Sequence, residues 1–257
     1  MNEPFVYKEP EHVIDAILSD LVIYDNPSLL KPEYQQIIAA LTPNSDLIKK
    51  HFASLSNIRA AWQKVLRYEV YFAEFYPTSH NIPIFEALNH HVNGYLQDMT
   101  TLRNKIEVWL GFKNDAKKEF SNKKDIEEFY NAAISKTKEV FDGVAKHRDP
   151  HHHKGPRFLD PDILKAETAH FISEAITNPK FPLPLSQAAV PDILSKLQKN
   201  KSEAFETAKE RWVKTARENN IQATGYLNGL LALARPNLCR LLDIKPSREI
   251  FQRGVSR

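Results

Sequence analysis

Residues 84–120 read IFEALNHHVNGYLQDMTTLRNKIEVWLGFKNDAKKEF, and their spacing decides the fold class. Phe85, Leu88, Val92, Tyr95, Leu96, Met99, Leu102, Ile106, Trp109 and Leu110 recur mostly at intervals of three and four residues, which puts them on one stripe of a helix. The spacing predicts a helix from Ile84 to about Phe120, with Gly111 as a point of bending. Strand alternation is found in no segment of the chain, so the expectation is an all-α protein.

Moving toward the C-terminus, Ile126, Phe129, Tyr130, Ala133, Ile134, Thr137, Val140, Phe141 and Val144 predict the next helix, from Lys124 to about Arg148. Pro150 disfavours α geometry at Asp149, so this helix is expected to end at His147 or Arg148, with the following histidines in a loop or one short turn. Asp160-Pro161 combines a capping side chain with a proline at the first helical position, and opens a helix through Ile163, Leu164, Ala166, Phe171 and Ile172. Prolines 179, 182 and 184 mark a linker, after which helical patterns cover 187–198, 202–219, 221–242 with an interruption at Pro236, and 247–253.

Toward the N-terminus, Val13, Ile14, Ile17, Leu18 and Leu21 form the stripe of a helix over 11–24, and a second is expected over 32–41. A third, capped by Asn44 or Ser45, continues through Leu47, Ile48, Phe52, Leu55, Ile58, Trp62, Val65 and Leu66 as far as Pro77. The expected architecture is an antiparallel helical bundle at 81–178, with N-terminal helices at 1–80 packing on it and a C-terminal helical extension at 179–257.

Composition limits what such a chain does. Its 257 residues are 42% hydrophobic and include 14 Phe, 9 Tyr and 3 Trp, enough for a substantial core. Charged residues nearly cancel, leaving +3, so any surface for a polyanion must be local. Cys239, the one cysteine, rules out an intrachain disulfide and points to the cytoplasm. The first residues carry neither a basic nor an apolar signal region, and the apolar run at 227–234 falls far short of the ~20 residues of a membrane span, so neither secretion by a standard signal nor membrane insertion is expected.

Candidate chemistry concentrates at Arg148-Asp149-Pro150-His151-His152-His153-Lys154. Four of the 10 histidines lie at 147, 151, 152 and 153, and Arg157 adds a further cation. Metal-free RNA cleavage needs a group titrating near neutrality to take the 2′-hydroxyl proton, and a cation beside the phosphorane. Arg148 can hold a phosphate in its fork while His153, or His151 or His152 in its place, approaches from another direction. His151, His152, Lys154 and Arg157 are the expected substrate-binding groups. A metal held by His151 and His153 with Asp149 or Asp160 is the weaker alternative, since Pro150 spoils the four-residue spacing of His147 and His151; no metal and no cofactor are expected.

Other conspicuous residues read as structural. His90 and His91 are adjacent, one packed and one solvated, and His170 belongs to an amphipathic helix. Tyr68, Tyr71, Phe72, Phe75 and Tyr76 form a core or helix-docking face, 199–217 is a solvated face of mixed charge, and Cys239 is a small buried hydrophobe.

The segment from Arg148 to His153 resembles the R-x4-6-H motif of HEPN domains (higher eukaryote and prokaryote nucleotide-binding), with polar Asp149 directly after the arginine. The likeness covers about residues 80–178, and includes the order in which one bundle helix precedes the motif and another follows it. It implies a homodimer in which Arg and His of two subunits line one cleft and cleave RNA without metal. Arg148 would hold the scissile phosphate, His153 would act as general base or acid, and Asp149 would position them. Many proteins of this kind bind without cleaving, so a non-catalytic module for nucleic acid or a protein partner is the alternative.

Overall fold

The computed structural model describes residues 11–41, 44–78, 82–112, 114–115, 122–152, 160–178, 180, 186 and 188–254; of residues 33, 145–152 and 251–254 it describes the backbone alone. In chain order the helices are α1 (Val13–Asp25), α2 (Pro32–Ala39), α3 (Ser45–Leu66), α4 (Tyr68–Glu74), α5 (Ile84–Leu110), α6 (Lys123–His152), α7 (Pro161–Thr177), α8 (Val190–Leu241) and α9 (Ser247–Gly254), with a 3-10 turn at Pro27–Leu29. No strand occurs among the described residues, and the protein is all-α.

Four boundaries differ from the sequence expectation, each for a local reason. The expected third helix is interrupted at Arg67, whose N–H turns to the carbonyl of Lys64 at 3.3 Å, so that α4 starts as a separate element. α5 stops at Leu110 and not near Phe120, because the N–H of Gly111 reaches both Glu107 and Val108, at 3.0 and 3.1 Å, and tightens the last turn. α6 passes through Pro150 and closes at His152; the proline removes one hydrogen bond, to Lys146, in the final turn, where little helix remains to be disrupted. The three segments expected between 187 and 242 are one helix of 52 residues, α8, because the polar joints at 199–201 and 219–220 contain no breaker and Pro236 lies within five residues of the end.

The chain forms two compact units whose membership cuts across the three-part division expected from the linkers. One comprises Met1–Trp62, Thr101–Phe141 and Gln222–Arg257; the other comprises Gln63–Thr100 and Asp142–Ile221.

In the first unit Ile14, Ile17 and Leu21 of α1, Ile48, Leu55 and Ile58 of α3, Leu102 and Ile106 of α5, and Leu231 of α8 are almost wholly buried. Several of its buried polar groups are paired. Asp20 of α1, 1% exposed, accepts from the Arg235 guanidinium at 2.8 Å and from the N–H and Oγ of Ser247 at 2.7 and 2.6 Å. Trp62 Nε1 donates to Thr224 Oγ1 at 2.9 Å. Tyr24 Oη donates to the carbonyl of Lys245 at 3.0 Å, and α9 packs on α1 and α2.

The second unit is built around aromatic side chains. Phe72 of α4, Tyr95 of α5 and Trp212 of α8 meet with ring centroids 5.7 and 6.4 Å apart, and Leu88, Val92 and Ala166 of the same unit are almost wholly buried. Asp98 receives Tyr68 Oη at 2.7 Å and Lys64 Nζ at 2.9 Å, so its buried carboxylate is fully paired.

Candidate functional site

The α6 backbone places Arg148, Asp149, His151 and His152 in the last turns of a regular helix. His151 and His152 therefore belong to α6, not to the loop expected after it. Positions 148, 151 and 152 are three and four residues apart and so occupy neighbouring places in the helical register. The side chains of these four residues are not among those described, and His153, Lys154 and Arg157 lie outside the described residues altogether. The next described residue is Asp160.

Asp160 accepts from four different groups of the second unit. It caps α7 by accepting from the N–H groups of Asp162 and Ile163, at 3.0 and 3.2 Å. The same carboxylate receives Trp212 Nε1 at 2.8 Å and Arg211 Nη2 at 2.5 Å, while Arg211 Nη1 reaches Asp162 at 2.6 Å. At 3% exposure this anion would be expensive to bury alone; with these donors it ties the start of α7 to α8. The aspartate-proline pair signalled the cap, but nothing in the sequence showed that Arg211 and Trp212, within a run read as solvated, would complete it. That reading is corrected here: Trp212 is buried, and Arg217 pairs with Glu69 at 2.7 Å.

Other titratable groups take structural places. His91 Nε2 lies 2.7 Å from the carbonyl of Phe75 and stacks near Tyr71, while His90 is exposed. His170 sits against Phe85 and 3.4 Å from Glu174. Tyr68 and Phe72 are core residues, as expected of that aromatic face, although Phe75 is left 66% exposed. Cys239 is half-buried, and burial pushes its thiol up to about 11, which keeps it protonated and unreactive.

His51 of α3 escaped the sequence reading. It is 1% exposed, its Nδ1 accepts from Trp109 Nε1 at 3.1 Å, and its Nε2 has no partner. Desolvation holds its pKa down to about 4, against a small opposing pull from Asp115, so it is a neutral core group. Its position between Ile48 and Leu55 on the buried stripe was the available signal.

Among the described residues no group of histidine, cysteine and acidic side chains is arranged to hold a metal ion, and no helix is long and apolar enough to cross a membrane. Comparison of the chain with known protein families, curated proteins and solved structures gave no match.

Proposed function

We propose that the protein is a HEPN-like, metal-independent RNA-cleaving or RNA-binding protein whose site is the end of α6 and the residues that follow it. One observation carries the reading. The arginine-histidine segment stands where a 30-residue helix ends and before a helix start tied down by Asp160. A phosphate ligand there would meet Arg148 near the last turn, together with imidazoles from residues 151–153.

In the cleavage reaction Arg148 holds the scissile phosphate in its fork and offsets the charge of the phosphorane. His153 takes the 2′-hydroxyl proton, and the oxygen attacks phosphorus. The bond to the 5′-oxygen breaks, and an imidazolium, from the second copy in a homodimer, returns a proton to that leaving group. Asp149 positions the pair. His151, His152, Lys154 and Arg157 contact the flanking phosphates.

The test is RNA cleavage by purified protein in the presence of chelator. His153→Ala is expected to abolish cleavage while leaving RNA affinity within a few-fold, and Arg148→Ala to weaken both. Cleavage retained in both variants overturns the catalytic assignment. Binding that depends on Arg148, Lys154 and Arg157 without any cleavage identifies the non-catalytic alternative.

A further inference from the structure

A second site, unrelated to the arginine-histidine segment, lies wholly within the first compact unit. Where α5, α6 and α8 meet, the side chains leave a cavity of about 420 Å³ open to solvent on one side, within the range of small-molecule sites. Its floor is apolar and fixed. Trp109, 2% exposed, is held by its hydrogen bond to His51, and Leu238 and Ala234 of α8, 5% and 6% exposed, form the wall beside it. Opposite them the first turns of α6 present Phe129 and Tyr130 only half-buried, so apolar surface that would ordinarily be packed faces the cavity.

Polar groups stand at the rim. Asp125 lines the opening but is hydrogen-bonded by the Asn122 amide of its own helix start. Asn237 and Arg240 line it as well, one turn apart on exposed positions of α8. The Tyr130 phenol is pushed up by burial and by Asp115, so it stays a hydrogen-bond donor at neutral pH. An aromatic and aliphatic floor with a guanidinium, an amide and a phenol at its edge matches one kind of molecule.

We infer that this cavity binds a small amphiphile with an apolar aromatic or acyl body, seated on Trp109 and Leu238, and a single anionic head directed to Arg240 and Asn237. The body supplies most of the affinity and the head sets its orientation.

The experiment uses two probes with the same aromatic body: 8-anilinonaphthalene-1-sulfonate, which carries the anion, and N-phenyl-1-naphthylamine, which lacks it. Energy transfer from tryptophan is followed in the full chain, with Trp109→Phe identifying the donor. The expected result is saturation at one equivalent, a reduced transfer signal in Trp109→Phe, and competition by decanoate if the natural body is acyl or by naphthoate if it is aromatic. Ala234→Leu, which pushes the α8 wall into the cavity, should abolish binding of both probes. Arg240→Gln, a substitution at an exposed position, should weaken the sulfonate about fivefold and the neutral probe hardly at all in protein with unchanged circular dichroism. Binding that does not saturate at one equivalent, or that survives Ala234→Leu in protein with unchanged circular dichroism, shows adventitious adsorption and overturns the site. Equal loss of both probes in Arg240→Gln overturns the anionic head.

Discussion

Two buried residues carry more of the stability than their number suggests. Removing the Asp160 carboxylate leaves Arg211 and Trp212 Nε1 without their acceptor and α7 without its cap, so Asp160→Ala is expected to destabilise by about 3 kcal/mol in urea unfolding. His51 acts through pH. Its folded pKa lies near 4, below the unfolded 6.5, so the unfolded chain binds the proton more readily. The stability this provides is full above pH 6.5 and is lost progressively as pH falls toward 4. His51→Gln, which keeps an acceptor for Trp109, should flatten the dependence of the urea midpoint between pH 6.5 and 5, while variants elsewhere leave it steep. Asp160 was legible as a cap because aspartate before proline is a local signal. His51 was not, because its protonation state depends on how deeply α3 is buried, and that is set by residues far along the chain.

At the scale of the helix, glycines act in opposite directions according to what stands beside them. On α5 a methyl group at Gly94 would lie 2.6 Å from Tyr68 Oη, which is itself held by Asp98 at 2.7 Å. Gly94→Ala should therefore lower stability by about 1–3 kcal/mol, overriding the roughly 1 kcal/mol that alanine contributes to helix propensity. On α8, Gly225 and Gly229 have open space where a Cβ would go. Alanine there should raise the thermal midpoint, each by about 0.5–1 kcal/mol of stability. The stripes of α1, α5 and α6 could be read directly, since apolar spacing reports the buried face of each helix. Ends were harder: Pro150 and Pro236 disfavour helix locally, yet α6 and α8 run through both, because the loss of one hydrogen bond near a terminus is offset by packing or by short remaining length. The candidate site suffers most from this ambiguity. Its composition is plain in the sequence, whereas whether Arg148 meets an imidazole depends on how the chain leaves α6.

For the molecule as a whole, the path of the chain limits how it comes apart. The boundary between the two compact units is crossed between Trp62 and Gln63, Thr100 and Thr101, Phe141 and Asp142, and Ile221 and Gln222, in each case inside a helix. Neither unit is a single continuous stretch of chain, and severing them would leave four helices with unsatisfied ends. Unfolding is thus expected to be a single transition: in a variant keeping only Trp109, and again in one keeping only Trp212, the fluorescence midpoint in urea should coincide with that same variant's circular dichroism midpoint. Separate midpoints would show that the units melt independently. The sequence could not reveal this division, since linkers and prolines mark where helices stop and not which helices share a core.

The pairing of Asp20 with Ser247 spans 227 positions of the chain, and that of Arg235 with Asp20 spans 215. During synthesis on the ribosome α1 emerges long before either of these partners exists. The nascent chain must carry the Asp20 carboxylate without these partners until residues 235–247 have left the exit tunnel, so this part of the first unit closes only then.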